Sequence, residues 1–465
     1  MIFHKTAIFA LGLLASPLAA QDILITPTDL YAASVQALRE GRPAAAAEGA
    51  DALLSVAPSN VSALLLRTET AIVQEDYATA ITRGRQAFWE AEGREATFTS
   101  ARLVALAHAR QGNDTRAQIW LRLARQFAPN AAAAQGVAED YQFLRNRNPW
   151  STSFRFGITP SSNINNGSAS ETTQPTELLQ QLNIFFGRDP NAPADLSGDA
   201  QALSGYEISG GFNTAYRLRT TDTSGTFLTA AANYRTYRLS DDAREQAPDA
   251  EGSDYADANL TFGVTHRFIG RPGDLPTSLS FQVSQNWYAD EPYSRSATLT
   301  GSHAWNLTPT DRLNLSMSLQ RTVGLQDQDP INSFGITGSW THAFSWGDTA
   351  QFTLGLRESD SDTLDSDYTS YRVAGDYNLA EPILGFDVGF GLEYEERLYD
   401  DSRFDVGVNE RTDRTTTARM RAVVSQVELF GFQPVVTFEA TRQESSIDLF
   451  DREYTRVGFD LQSSF

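Results

Sequence analysis

The sequence predicts a chain of two classes: α-helical repeats followed by an antiparallel transmembrane β-barrel of 14 strands. Three observations carry that prediction. The composition changes near residue 149, from alanine-rich to rich in Tyr, Phe, Thr, Ser and Gly, the residues of strands and turns. Beyond that point apolar and polar residues alternate in segment after segment, the period of a strand with two unlike faces. The connections between those segments alternate short and long, the pattern of a barrel threaded through an outer membrane.

Bulk composition excludes several classes. Of 465 residues 20% are charged and 41% hydrophobic, which argues against a long disordered chain. No cysteine is present, so disulfide scaffolds, thiolate zinc sites and a cysteine nucleophile are excluded. The net charge of −21 argues against a nucleic-acid binder, which needs a basic footprint. The imbalance is local. Residues 22–148 hold 14 acids and 13 arginines; residues 149–465 hold 44 acids and 23 arginines. Lys5 is the single lysine, which genome composition accounts for.

Residues 1–20 read as a secretory signal. Lys5 supplies a positive start, Ala7 to Leu14 a short apolar run, and Ala19-Ala20 small residues before Gln21. Leu18 departs from the small residue expected at −3. The apolar run is too short to span a bilayer as a helix. Residues 21–148 are expected to form a periplasmic domain, and residues 149–465 the barrel in the outer membrane of a Gram-negative bacterium.

The helical part repeats. Gly41-Arg42-Pro43 precedes Ala46, Glu75-Asp76-Tyr77 precedes Ala80 and Ala87, and Gly112-Asn113-Asp114 precedes Ala117, Leu121 and Ala124. Two helices, a tight turn, small residues at the crossing and a proline at the exit (Pro58, Pro129) make one unit. Three such units resemble tetratricopeptide repeats. Each buries its apolar face only against its neighbour, and the resemblance implies a groove for a peptide or protein. The plain alternative is a helical stack without a ligand.

In the second part, Leu313, Leu315, Met317 and Leu319 alternate with Asn314, Ser316 and Ser318; Phe386, Val388, Phe390 and Leu392 alternate with Asp387, Gly389, Gly391 and Glu393. Strands are expected to begin near Trp150, Leu203, Thr226, Ala256, Thr277, Ser294, Arg312, Asn332, Thr349, Tyr368, Ile383, Thr415, Val435 and Tyr454. The phase falters between Met420 and Leu429, where a bulge is expected. His266 with Phe268, His303 with Trp305, and His342 with Phe344 and Trp346 end strands before short turns, as an outward aromatic girdle would. Val457, Phe459 and Leu461 alternate toward Phe465, which resembles the C-terminal signal read by the barrel assembly machinery. Inward-phase Arg155, Glu207, Arg372, Asp376, Arg419, Arg421, Glu439, Arg456 and Asp460 predict a polar lumen or structural ion pairs. Acids such as Asp241, Asp242, Asp360, Asp362, Asp365 and Asp367 fall in the long loops, expected to be hydrated, with divalent-cation bridging to lipid headgroups as the functional alternative.

No catalytic constellation emerges, and the expectation is a protein without enzymatic activity, cofactor or metal. His108 lies in a helix and reads as a packed side chain. The three girdle histidines lie on alternate strands at one rim, which suits neither a metal site nor the Ser/His chemistry of an outer-leaflet acyl hydrolase.

One phrase is specific. Asn148-Pro149-Trp150 is followed by Phe154-Arg155-Phe156-Gly157-Ile158-Thr159-Pro160-Ser161-Ser162-Asn163-Ile164-Asn165-Asn166. This resembles the first strand and loop of the surface lipoprotein assembly modulator family, the type XI secretion translocators. The order of signal peptide, repeats and barrel agrees along the mature chain. The repeat array is shorter than usual. The family motif maps to Pro160, Ser162, Asn163, Ile164, Asn165 and Asn166, for which a structural role in the loop is expected ahead of cargo contact. The resemblance implies an outer-membrane translocator, in function monomeric, whose repeats capture lipoproteins or small secreted proteins and whose barrel passes them to the surface. The competing reading is a polysaccharide-export or passive porin carrying a periplasmic repeat domain.

Overall fold

The computed structural model describes residues 25–174, 177–325, 329–363, 365–400, 402 and 411–463. The signal-like segment, and Phe465 of the C-terminal motif, lie outside them. Seven helices precede the barrel: α1 (Pro27–Arg39), α2 (Pro43–Val56), α3 (Val61–Val73), α4 (Tyr77–Glu90), α5 (Arg94–Arg110), α6 (Asp114–Gln126) and α7 (Ala131–Arg147). None of the described helices is long and apolar enough to cross a membrane. The change from helix to strand falls at Asn148. Compactness divides the chain earlier, into units Met1–Asn113 and Asp114–Phe465, so α6 and α7 belong with the strands.

The repeat anchors have a common physical origin. Gly41, Glu75 and Gly112 follow α1, α3 and α5, and each is left-handed, with φ of 73°, 60° and 83°. In each case the next residue's N–H reaches back five positions: Arg42 to Ala37 O, Asp76 to Ala71 O and Asn113 to His108 O, at 2.8–2.9 Å. This left-handed exit satisfies carbonyls the helix end leaves free. Asp76 then caps α4, accepting from Thr79 N–H at 3.1 Å. Ala46, Ala80 and Ala117 are fully buried. At Gly84 a Cβ would lie 2.6 Å from Val104 Cγ2, so α4 meets α5 at a distance only glycine allows. His108 is buried, as expected. Glu75 bears the left-handed strain that glycine carries freely at Gly41 and Gly112. Glu75→Gly should stabilise the helical unit by about 1 kcal/mol, read as a higher midpoint in its thermal transition; an unchanged or lower midpoint would refute the assignment.

Fourteen strands close the barrel: β1 (Trp150–Ser161), β2 (Gly205–Thr220), β3 (Ser224–Leu239), β4 (Asp257–Phe268), β5 (Thr277–Tyr288), β6 (Glu291–Asn306), β7 (Asp311–Gly324), β8 (Ile331–Ala343), β9 (Thr349–Asp360), β10 (Tyr368–Asn378), β11 (Phe386–Tyr399), β12 (Thr412–Val424), β13 (Phe432–Ser445) and β14 (Arg452–Ser463). Each pairs antiparallel with its sequence neighbours, and β1 pairs β14. Every strand begins within three residues of its expected start. One phase of each strand points outward and is apolar: Phe154, Phe262, Phe281, Leu319, Phe352 and Phe390 are all exposed. In a closed sheet every backbone donor can find a partner, and such a belt belongs in lipid. The fold is an outer-membrane-type barrel joined to N-terminal helices.

The two ends differ. One, the turn end, carries the first residue of β1, the last of β14 and the connections 221–223, 307–310 and 344–348. The other, the loop end, carries 162–204, 240–256 and 361–367. The alternation of length fails most sharply where β5 and β6 join at the loop end through Ala289-Asp290, a two-residue hairpin with φ of 49° and 61°. The bulge expected between Met420 and Leu429 is a correction. β12 pairs β11 and β13 in unbroken register and ends at Val424. Residues 425–431 are the turn, reversed by Phe430 (φ 52°) and Gly431 (φ 78°). The apolar residues there belong to a turn that packs on helix, which disturbs alternation without a bulge. Bulges occur elsewhere, at Arg217/Arg219 and Asn286/Trp287.

Candidate functional site

Within the barrel unit, α6 and α7 form a hairpin fixed to the turn end. Arg122 of α6 donates to Gly431 O at 3.0 Å and to Tyr141 Oη at 2.9 Å, and its guanidinium lies 4.8 Å from the Phe432 ring centroid. Arg125 pairs with Glu428 at 2.8 Å, and Phe430 N–H donates to Gln126 Oε1 at 2.9 Å. The same left-handed turn that ends β12 thus presents its backbone to the helix. At the far end of the hairpin, Arg217 Nη2 donates to the carbonyls of Asn146, Arg147 and Asn148 at 2.7, 2.9 and 3.1 Å. A guanidinium there satisfies the carbonyls α7 leaves open and complements its dipole. A bulge in β2 lies beside Arg217. Asn148 bonds Thr115 and Gln118 of α6 and accepts from Trp150 N–H at 3.0 Å, so helix and first strand share one polar knot.

Between the hairpin and the lumen wall lies a cavity of about 1420 Å³. Thr115, Gln118, Arg122 and Tyr141 line it from the helices; Arg155, Glu207, Arg421 and Asp460 line it from the strands. The lumen carries both signs of charge, as expected. Arg372 pairs with Glu393 at 2.6 Å and Arg419 with its cross-strand partner Glu439 at 2.9 Å, so these are structural ion pairs. Arg235 bridges Asp257 at 2.7 Å and Glu207 at 3.7 Å at the cavity wall.

The motif after β1 builds the first loop. Ser162 N–H donates to Thr455 O and its Oγ accepts from Thr455 N–H, at 3.2 and 3.0 Å. Asn163 is fully buried; its Nδ2 donates to Gly167 O at 2.9 Å and its Oδ1 accepts from Gly167 N–H at 3.0 Å. Asn165 donates to Asp199 O and Gln201 O and accepts from Leu203 N–H. Ile164 is buried against Leu203 and Leu239. Asn166 is left-handed, at φ 53°. Asn163 and Asn165 thus bind their own loop, and Ser162 ties it to β14.

The aromatic residues mark the turn-end rim. His266 stacks near Phe268, His303 meets Trp305, His342 meets Phe344, and Phe344 stacks on Trp346 at 4.6 Å. Each histidine bonds a neighbouring strand: Thr226, Thr277 and Asp311, respectively. Phe459 and Leu461 face outward. At the loop end, burial and then the nearby Asp400 and Asp360 push the Asp367 carboxyl above its usual range, while Asp365 accepts from Ser402 and Arg411. Among the described residues no cluster of His, Asp or Glu is placed to hold a metal ion.

No family model and no curated protein matches the chain. Likeness to solved structures is confined to fold and is distant. A BenF-like porin from Pseudomonas fluorescens Pf-5 aligns at 10% identity over 68% of this chain and 98% of its own, with a TM-score of 0.36. OccAB3 of Acinetobacter baumannii aligns at 9% identity over 67% and 98%, with a TM-score of 0.35. The type III secretion translocator chaperone SycD of Yersinia enterocolitica aligns at 15% identity over 26% and 88%, with a TM-score of 0.24.

Proposed function

We propose that the protein is an outer-membrane translocator that delivers lipoproteins or related small secreted proteins from the periplasm to the cell surface. The observation that carries this reading is the α6–α7 hairpin, bonded into the mouth of a barrel whose lumen is charged. A pore for small solutes needs no helices at its mouth. In the proposed mechanism the tetratricopeptide-like units capture exported cargo in the periplasm. Cargo passes to the cavity beneath the hairpin, crosses the lumen and emerges among the acidic loops. The periplasm supplies no nucleotide, so the step draws on the free energy of cargo binding or folding. The barrel assembly machinery inserts the chain, with Val457, Phe459, Leu461 and Phe465 as its signal.

The test follows the observed unit boundary. Removal of residues 21–113 leaves α6, α7 and the barrel whole. Cells carrying this variant should keep a heat-modifiable barrel on gels and lose one or more lipoproteins from the protease-shaved surface proteome. An unchanged surface proteome would sink the proposal. A passive porin would instead show steady open conductance in planar bilayers, and a polysaccharide-export porin would have genes for a sugar synthase nearby.

A further inference from the structure

The barrel is closed unevenly. β1 pairs β2 at all twelve of its residues, Trp150 through Ser161. Against β14 it pairs at three positions, Gly157 with Asp460, Ile158 with Phe459 and Ser161 with Arg456, all toward the loop end. Carried on, that register would set Phe156 opposite Leu461, Arg155 opposite Gln462 and Phe154 opposite Ser463, yet no ladder partner joins Phe154–Phe156 to β14 among the described residues. The sequence supplies one reason for a weak seam. Ser162 N–H points at β14, donating to Thr455 O. Backbone direction repeats every second residue, so Pro160 stands where the next donor toward β14 belongs and has none.

Two further observations agree. Every residue from Trp150 to Phe156 is exposed, those of the outward phase and those of the lumen phase alike. The cavity under the hairpin is lined by both phases of β1, lumen-facing Ser153 and Arg155 and outward-facing Thr152 and Phe154, and by outward-facing Leu461 of β14. The cavity therefore continues between β1 and β14 to the outer surface of the barrel. Phe154 and Phe156 belong to the apolar belt, where unpaired backbone groups find no water and lipid chains offer neither donor nor acceptor. Another strand is the partner that satisfies a row of such groups.

We propose that the unpaired edge of β1, from Phe154 to Phe156, is a docking edge for an extended segment of the cargo polypeptide, and that the seam beside it is a lateral portal into the cavity. This deepens the translocator reading and rests on it for the identity of the strand. A segment of alternating apolar and polar residues adds to β1, places its apolar phase in lipid and its polar phase in the cavity, and exchanges backbone bonds where β14 makes none.

The natural absence of cysteine makes the test clean. In the purified full chain, the pair Ile158→Cys with Phe459→Cys, at a paired level, should form a disulfide on mild oxidation. Phe156→Cys with Leu461→Cys should do so at least tenfold more slowly; equal rates would mean a closed seam and overturn the proposal. The single variant Phe156→Cys is then offered a synthetic peptide with the sequence of residues 452–463, carrying an activated cysteine in place of Leu461. Mixed-disulfide formation should exceed by at least tenfold that of a peptide with the cysteine at Asp460, one residue out of phase. No difference would overturn the docking edge, as would disulfide dimers of Phe156→Cys forming in preference to peptide capture, which would assign the edge to a second copy. No cargo enters this experiment, so its failure leaves the deletion test of the translocator reading untouched.

Discussion

Replacing Arg122 and Arg125 with alanine should make the barrel open at least tenfold more often in planar bilayers. Each arginine fixes α6 to the turn between β12 and β13, Arg122 through Gly431 O and the Phe432 ring, Arg125 through Glu428. Hydrogen bonds to charged groups contribute about 1.5–3 kcal/mol each. These side chains are partly solvated, so about 1 kcal/mol apiece is the sounder figure. Two kcal/mol corresponds to a population shift of roughly thirtyfold. The hairpin, docked in the structure, is then undocked for a measurable fraction of the time. The control is Arg116→Ala, an exposed position on the same helix. Arg217→Ala should act in the same direction through α7, because it removes the one group that joins three terminal carbonyls to β2. A wild-type barrel already in a steady open state, or a double variant indistinguishable from Arg116→Ala, would refute a gating hairpin and favour the passive porin.

The fold was legible where one rule acts alone. Alternation places Leu313 to Leu319 on lipid and Asn314 to Ser318 in the lumen without reference to any distant residue, and 14 such segments imply closure. The left-handed positions at Gly41 and Gly112 announced helix ends for the same local reason. What stayed hidden was set by partners far along the chain. Arg122 and Gly431 are 309 residues apart, and nothing in α6 marks that arginine over Arg116. Composition placed the domain change at the helix-to-strand boundary, whereas compactness follows contacts such as Arg125 to Glu428 and divides the chain at Asn113. The misplaced bulge has the same origin: residues 425–431 are a turn held to α6 through Glu428 and Phe430, so their apolar residues follow that contact and not the strand phase. A partial clue to Arg217 was present, since a bulge displaces the phase between Arg217 and Arg219, though the helix terminus it serves is visible only in three dimensions.

Asn163→Ala should make the loop between β1 and β2 at least tenfold more susceptible to limited proteolysis while leaving the barrel heat-modifiable. Asn163 is fully buried, and one side chain satisfies both the N–H and the carbonyl of Gly167. Alanine leaves two buried backbone groups without that partner, at about 1–3 kcal/mol each. Gly167 in turn admits no side chain: a Cβ there would lie 2.2 Å from Gln201 O. The contact is therefore backbone on backbone, and Ser168 continues it by bonding Ala200 O and accepting from Ala202 N–H. Losing about 3 kcal/mol at this point raises the open population of the loop on the order of a hundredfold. Asn163→Asp should fare no better, since it keeps the acceptor for Gly167 N–H but turns a carboxylate toward Gly167 O. Asn166→Gly is the contrast, because a left-handed residue at φ 53° tolerates glycine without loss of a side-chain bond. The pair separates a structural motif from a cargo-binding one. A fully buried asparagine cannot touch cargo while the loop is folded, so any loss of cargo display in Asn163→Ala must track the gain in proteolysis. A variant as protease-resistant as the wild type but defective in display would place Asn163 in contact with cargo and contradict the burial argument.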